Sequence, residues 1–279
     1  MNETGKFIQE LRIQAGFTQK TLADALHITD KAVSKWERGI CLPDVTLLPK
    51  LSLLLETDVE LLISKSVEQE EWTGLIDIHG CDFSQNVYDK PLVYYLLSHF
   101  LLLGIQNISV ITEEENQRYL LSEKYKAFGI RFSFTVSQKS PLMILNHPWF
   151  LFGSDLTQQF RRAMLSGKNT MLIPQNQEPV FCFTEEPDLY FINPGQLFQK
   201  ATAKTLGRGM ICLDMGDNDK VLDVASFVRT YQQNTGLLIA SLEEIAYRKG
   251  YISKQQLIAM AKEIPYWKQL IEFCKPQVG

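Results

Sequence analysis

The chain is poor in cysteine. Five occur among 279 residues, Cys41, Cys81, Cys182, Cys212 and Cys274. Their number is odd, they are scattered, and no CxxC is present. That pattern excludes a disulfide framework and points to a reducing cytoplasm as the expected compartment. The four histidines, His27, His79, His99 and His147, form no HxxxH or HxH spacing. Zinc needs about four convergent ligands, so no metal site and no other cofactor is expected. Positive charge is not in excess: 28 basic against 32 acidic residues give a net charge of −4. The chain is therefore not one continuous nucleic-acid-binding surface, and any DNA contact must come from a local patch. The most apolar run, PLVYYLLSHFLLLGI at 91–105, is shorter than the roughly 20 residues that span a bilayer. It contains Ser98 and His99 and reads as a buried helix, so no membrane partner is expected. The polar N-terminus lacks the apolar segment of a signal peptide.

What is present divides in two. Residues 4–64 read as short helices with no strand between them. From 72 onward, β-rich runs alternate with helical stretches. The polar, acidic SVEQEE at 66–71 has no apolar face to pack and is the expected linker. The expected domains are thus 1–65, a linker at 66–71, and 72–279.

In TQKTLADALHITDKAVSKWERG, 18–39, Thr18 can cap one helix whose inward face is Leu22, Ala25 and Leu26. His27 and Ile28 make a tight connection. Thr29 can cap a second helix with Val33 and Trp36 inward, and Gly39 stops it. Two helices joined this closely form a helix-turn-helix. A helix over 7–16 precedes them, and PDVTLLPKLSLLL and DVELLI close the core, giving five helices in all. The second helix of the pair turns Asp30, Lys31, Ser34, Lys35 and Arg38 outward. In a helix-turn-helix this face enters the major groove. Lysine suits guanine O6 and N7, and serine suits either base. Gln19 is placed to meet a phosphate at a helix start. The expected DNA-binding residues are Gln19, Thr29, Lys31, Ser34, Lys35 and Arg38; a merely solvated charged face is the alternative.

LRIQAGFTQKTLADAL, ITDKAVSKWERG and LPDVTLLPKLS resemble the Cro/C1-type (XRE) helix-turn-helix family over nearly all of 4–64. The resemblance implies an all-α five-helix DNA-binding domain that acts as a dimer on a two-fold operator in double-stranded DNA. Residues 1–66 carry eight basic and nine acidic side chains, so modest affinity that depends on dimerisation is expected.

In the larger module GLIDI (74–78), NISVIT (107–112), IRFSFTV (130–136) and LMIL (142–145) read as strands. Helices are expected at 90–104 and 114–129. This order argues for βαβ units and a mostly parallel sheet. VYDKPLVYYLL, LGRGMICLDMGDNDKVLDVASFVRT and TGLLIASLEEIAYRKGYISKQQLIAMA resemble glucose-1-phosphate thymidylyltransferases over about 72–262. That implies an α/β Rossmann-like nucleotidyltransferase fold. It also implies a glycine-rich loop with an arginine for the triphosphate, a lysine shortly before YDKP, and magnesium on two aspartates, one in a GDN-like turn and one in an LDTG-like turn.

Here no GxGTR follows the first strand, and 72–89 contains no Arg or Lys. The GDN position reads Asn146-His147-Pro148, and only Asp214 remains of the aspartate pair. Asp214 reads as a turn-former ahead of the helix near Asp217. The reading drawn from these departures is a domain without transferase activity. The resemblance also implies a regulatory thymidine-nucleotide site at a subunit interface, carried here by Gly153, Ser154, Glu244, Ile245 and Arg248. Against it, Glu243, Glu244 and Arg248 can form i,i+4 pairs on an exposed helix.

The expected function is a transcriptional regulator. Its helix-turn-helix binds an operator, and its larger domain senses a nucleotide or nucleotide sugar, or drives assembly of a homodimer or higher oligomer. Two alternatives stay open: a sugar-phosphate nucleotidyltransferase with a DNA-binding appendage, and a regulator whose larger domain binds a protein.

Overall fold

In the computed structural model, residues 3–55, 57, 59, 62, 72–79, 82–135, 140–145, 147–153, 155–166, 168–174, 179–187, 197, 199–216, 218–262, 264, 266, 268 and 270 are described. The chain forms two compact units, Met1–Glu70 and Glu71–Gly279.

In the first unit helix α1 runs Glu3–Gln14, α2 Gln19–Leu26, α3 Asp30–Glu37 and α4 Leu48–Leu54, with a 3-10 turn at Val45–Leu47. Thr18 caps α2 by accepting from the Thr21 amide, and Thr29 caps α3 by accepting from the Ala32 amide. His27 ends α2 in the left-handed region at φ 59°, a conformation unusual for a residue with a Cβ. That single residue turns the chain sharply enough for α3 to start three residues later. Phe7, Ile8, Leu22, Val33, Trp36, Leu51 and Leu62 meet in one core. The expected fifth helix, over 58–63, lies outside the described residues except for Val59 and Leu62. The expected linker also lies outside them.

The second unit holds strands β1 (Thr73–Asp77), β2 (Asn86–Val87), β3 (Lys90–Pro91), β4 (Asn107–Ile111), β5 (Arg131–Ser133) and β6 (Leu142–Leu145). It continues with β7 (Trp149–Phe152), β8 (Thr170–Ile173), β9 (Phe181–Thr184), β10 (Thr202–Thr205) and β11 (Ile211–Asp214). Its helices are α5 (Leu92–Leu103), α6 (Glu115–Lys124), α7 (Leu156–Met164), α8 (Asn218–Thr235), α9 (Leu242–Arg248) and α10 (Lys254–Ala261). Seven strands form the main sheet in the order β10-β8-β9-β6-β1-β4-β5. All pairs are parallel except those made by β9. β7 and β11 form a separate antiparallel pair, and β2 and β3 a two-residue hairpin.

Alternation along the strands divides the core. Ile76, Met143 and Leu145 pack into the large cluster with α5, whereas Leu75, Leu142 and Ile144 join a second cluster with Met171 and Cys182. The run at 91–105 is indeed a buried helix: α5 is inward on nearly every side. No described helix is long and apolar enough to cross a membrane.

Candidate functional site

The outward face of α3 begins at its cap. Lys31, in the first turn, and Lys35, in the last, are exposed, while Ser34 is half-buried. Arg38 bends back over its own helix, and its Nε donates to the Ser34 carbonyl at 3.2 Å. The two lysines lie four residues apart, on one face. Gln19 is half-buried, and its Nε2 donates to Glu37 Oε2 at 2.7 Å. Glu37 is itself held by the buried Arg12, whose Nε and Nη2 donate at 2.6 and 3.2 Å. One of the two amide hydrogens of Gln19 is thus spent inside the protein. This buried pair was missed in the sequence, because Arg12 and Glu37 lie on separate helices and charged residues are rarely buried unless paired.

In the second unit the strand order reverses beside β1. The chain runs from β1 to β4 and β5 on one side, then returns to β6 on the other. Open α/β sheets bind ligands beyond the carboxyl ends of the strands at such a switch point. There Asp77, the last residue of β1, lies with Oδ1 2.6 Å from the His79 ring Nδ1 and also accepts from the His79 amide at 3.0 Å.

Just after β6 comes His147. Its Nε2 lies 2.5 Å from Asp214 Oδ1, at the end of β11 and 67 residues away. The same oxygen accepts from the Gly216 amide at 2.8 Å, and Asp214 Oδ2 accepts from Lys220 Nζ at 3.1 Å. Partial burial raises the Asp214 pKa, but the Gly216 amide, His147 and Lys220 outweigh it and hold the carboxyl below its usual value.

The magnesium pair implied by the resemblance falls on His147 and Asp214. Magnesium takes hard oxygen ligands in near-octahedral geometry. Here one aspartate is an imidazole, and both oxygens of the other are engaged by an amide, a ring nitrogen and an ammonium. These residues do not fit magnesium. Among the described residues no three His, Cys, Asp or Glu side chains converge as a metal site. Asp214 is a turn-former, as expected, through its bond to Gly216, but it also anchors His147 and Lys220.

The expected regulatory residues are placed as follows. Gly153 follows β7 and lies against Met210: a Cβ on it would lie 2.1 Å from the Met210 sulfur. Ser154 lies outside the described residues. Ile245 is half-buried against the large core. Glu244 accepts from Arg248 Nε at 3.0 Å, the i,i+4 pair foreseen as the alternative. The expectation for Glu243 is corrected, since it is not on an exposed face. It is 1% exposed and accepts from the hydroxyls of Tyr94 (2.8 Å), Tyr266 (2.9 Å) and Ser241 (3.1 Å).

Beyond the ends of β8 and β10 lies a cavity of about 140 Å³, lined by Pro174, Leu206, Gly207, Arg208, Met210 and Cys212. Arg208 escaped the sequence reading, although it stands between two glycines directly after a strand. Met210 links this cavity to Gly153.

Residues 8–62 match the family model described as Helix-turn-helix. The first unit thus carries a helix-turn-helix. The larger region is similar to glucose-1-phosphate thymidylyltransferases. The enzyme of Mycolicibacterium smegmatis is 28% identical over 253 residues, covering 64% of this chain and 85% of that protein. That of Neisseria meningitidis is 28% identical over 247 residues, covering 63% and 85%. That of Mycobacterium tuberculosis is 37% identical over 79 residues, 28% of this chain and 26% of that protein. A solved structure from Bacillus anthracis, assigned as a glucose-1-phosphate thymidylyltransferase with sucrose bound, superposes at a TM-score of 0.44 and 10% identity, covering 57% of this chain and 95% of that one.

These relatives overturn one expectation. The absence of transferase activity was read from a missing glycine-rich loop, missing cations and a missing aspartate, whereas similarity to several enzymes extends over most of their length. The larger unit is therefore not assigned as an inactive domain.

Proposed function

We propose that this DNA-binding protein is a sequence-specific transcriptional regulator whose larger unit binds a thymidine nucleotide or its sugar conjugate and joins chains into at least dimers. The observation that carries the DNA half is the geometry of α2 and α3. A tight left-handed turn at His27 presents Lys31, Ser34 and Lys35 on one face, with Thr29 at the helix start and Gln19 and Arg38 flanking it. One such face reads a half-site. A two-fold dimer would read two of them about 34 Å apart, or a multiple of that.

The nucleotide half is supported by the similarity to thymidylyltransferases together with the placement of Arg208 and Gly153 around Met210. Arg208 offers a planar cation for a phosphate. Glu244, Ile245 and Arg248 on α9 would complete the site. Among the described residues α9 packs on α5 and α10.

Selection from a pool of randomised duplexes tests the first half, and the enriched sequence should be two-fold symmetric. No enrichment, or equal enrichment by a Lys31→Ala, Lys35→Ala variant, would refute it. Calorimetry with thymidine nucleotides tests the second half. Binding should be lost in Arg248→Ala with the fold intact, and absence of heat would refute it. Light scattering that gives a monomer near 32 kDa with and without DNA would refute the dimer.

A second reading has support of its own in the similarity to enzymes, namely that the larger unit transfers a nucleotide to a sugar phosphate. It predicts release of pyrophosphate from a nucleoside triphosphate and glucose 1-phosphate. No release above the rate without protein would remove this reading.

A further inference from the structure

His147, Asp214 and Lys220 come from three separate elements: the segment between β6 and β7, the end of β11, and the first turns of α8. They converge beyond the carboxyl ends of the sheet, where a ligand crevice is expected. The convergence is built into the fold. β7 and β11 pair so that Trp149 faces Asp214, which brings the residue two before Trp149 beside the carboxylate. The His147 ring is braced edge-on by Trp149, with centroids 5.6 Å apart. Gly216 leaves it room, since a Cβ there would lie 2.7 and 2.9 Å from the imidazole Cε1 and Nε2. Lys220 then closes the other side of the carboxylate at 3.1 Å.

Charge decides what this cluster attracts. Two carboxylates carry −2 and draw in a divalent cation. Here one carboxylate and one ammonium sum to zero while the imidazole is neutral, and to +1 when it is protonated. A divalent ion entering this cluster would meet a fixed positive charge and would have to displace it from Asp214.

We propose that His147 and Lys220 stand in place of a bound divalent cation, so that a phosphate-bearing ligand in this crevice meets a fixed ammonium and needs no magnesium. Lys220 is half-exposed and can turn a donor toward a phosphate while Asp214 holds it near the crevice. Displacement of the cation stands on the cluster alone; the contact with phosphate rests only on the reading that the larger unit binds a nucleotide, and it lies at the other end of the β7–β11 pair from Arg208 and Gly153.

The decisive measurement is a manganese titration of the full chain followed by electron paramagnetic resonance of the free aquo ion. The parent protein should leave the signal as it is in buffer. His147→Asp combined with Lys220→Gln restores a carboxylate pair without the ammonium. It should take up one equivalent of manganese, with an affinity gain of about tenfold or more. Lys220→Gln alone changes a half-exposed side chain and is the milder variant should the pair prove unstable; it should gain weaker uptake. Single-site uptake by the parent protein that Asp214→Asn removes would overturn the proposal. So would a folded double variant that takes up no manganese, because the exchange of side chains would then not be what excludes the ion. For the ligand, thymidine nucleotide binding should be equal in magnesium and in chelator and should fall in Lys220→Gln. A magnesium requirement would overturn the proposal. No heat in either buffer would count against the nucleotide reading, and the manganese result would still decide the cluster.

Discussion

Gln19 donates its side-chain amide to Glu37 across 2.7 Å, which ties the first turn of α2 to the last turn of α3. Arg12 completes the tie from α1. Three helices are thereby fixed around one carboxylate. Glu37→Ala leaves the buried Arg12 guanidinium unpaired and should cost about 3–5 kcal/mol, a large share of what a unit of this size has. Urea unfolding checks this. Gln19→Ala should cost DNA affinity evenly across sequences, about 1 kcal/mol. Gel-shift titrations on the selected site and on a scrambled duplex should weaken by the same factor, whereas a change in their ratio would show that Gln19 reads a base.

Lys31 and Lys35 are exposed on the face of α3 that is proposed to enter the groove. If Lys35 reads a guanine, Lys35→Ala should relax preference at one position by about 1–3 kcal/mol. If Lys31 meets a phosphate, Lys31→Ala should lower the slope of log affinity against log salt by about 0.9. Unchanged slope and unchanged preference in both variants would place the interface on another face.

His99 lies inside the larger unit against Phe160 and Phe181, and its Nε2 has no hydrogen-bond partner among the described residues. Burial pushes its pKa down to about 4, so the imidazole stays neutral in the folded protein. Unfolded, it titrates near 6.5. The unfolded state therefore binds more protons between these values. Stability is fully present above about pH 6.5 and falls as the pH drops toward 4, by an order-of-magnitude 3 kcal/mol. Urea midpoints measured through this window should decline, and His99→Phe should flatten the decline. An equally steep fall in the variant would assign the pH dependence to other groups.

Glu243 holds the hydroxyls of Tyr94 and Tyr266 and so joins α9, α5 and a residue beyond α10. Lys90 lies 4.1 Å from the Tyr266 ring centroid and donates to Asp89 at 2.8 Å and Gln232 at 3.1 Å. Burial lowers the Lys90 pKa, and Asp89 opposes that shift. Tyr266→Phe removes one bond to a carboxylate and should cost about 1.5–3 kcal/mol. A thermal melt of the variant that matches the parent would show the contact to be dispensable.

The sequence disclosed most of the local structure. LMIL at 142–145 is a strand over the residues expected, and the caps at Thr18 and Thr29 lie where the side-chain chemistry put them. Both follow from short-range pattern. The polar core did not follow from it. Lys90 is fully buried with partners Asp89 and Gln232, 1 and 142 positions away, and Glu243 is buried with Tyr94 from α5 and Tyr266 from beyond α10 as partners. Charged residues read as exposed until a partner distant in sequence is known. His147 read as a lost ligand, and only the pairing of β7 with β11 shows what it touches. The reading of inactivity erred differently, because it weighed absent motifs above similarity that extends over most of the relatives' length.

The strand order also sets a timetable for the chain as it leaves the ribosome. Among the described residues the core of the first unit uses none beyond Leu62, so the helix-turn-helix can close before the first strand of the sheet has emerged. That strand must wait much longer: Thr73 pairs with Asn107 on one side and Leu142 on the other. β9 then has to enter between β6 and β8, antiparallel to both. Until Phe181–Thr184 are made, Leu142–Leu145, buried in the finished protein, has an open edge. Nascent chains stalled between 146 and 180 would therefore be the ones most exposed to misassembly, with a completed DNA-reading head already folded in front of them.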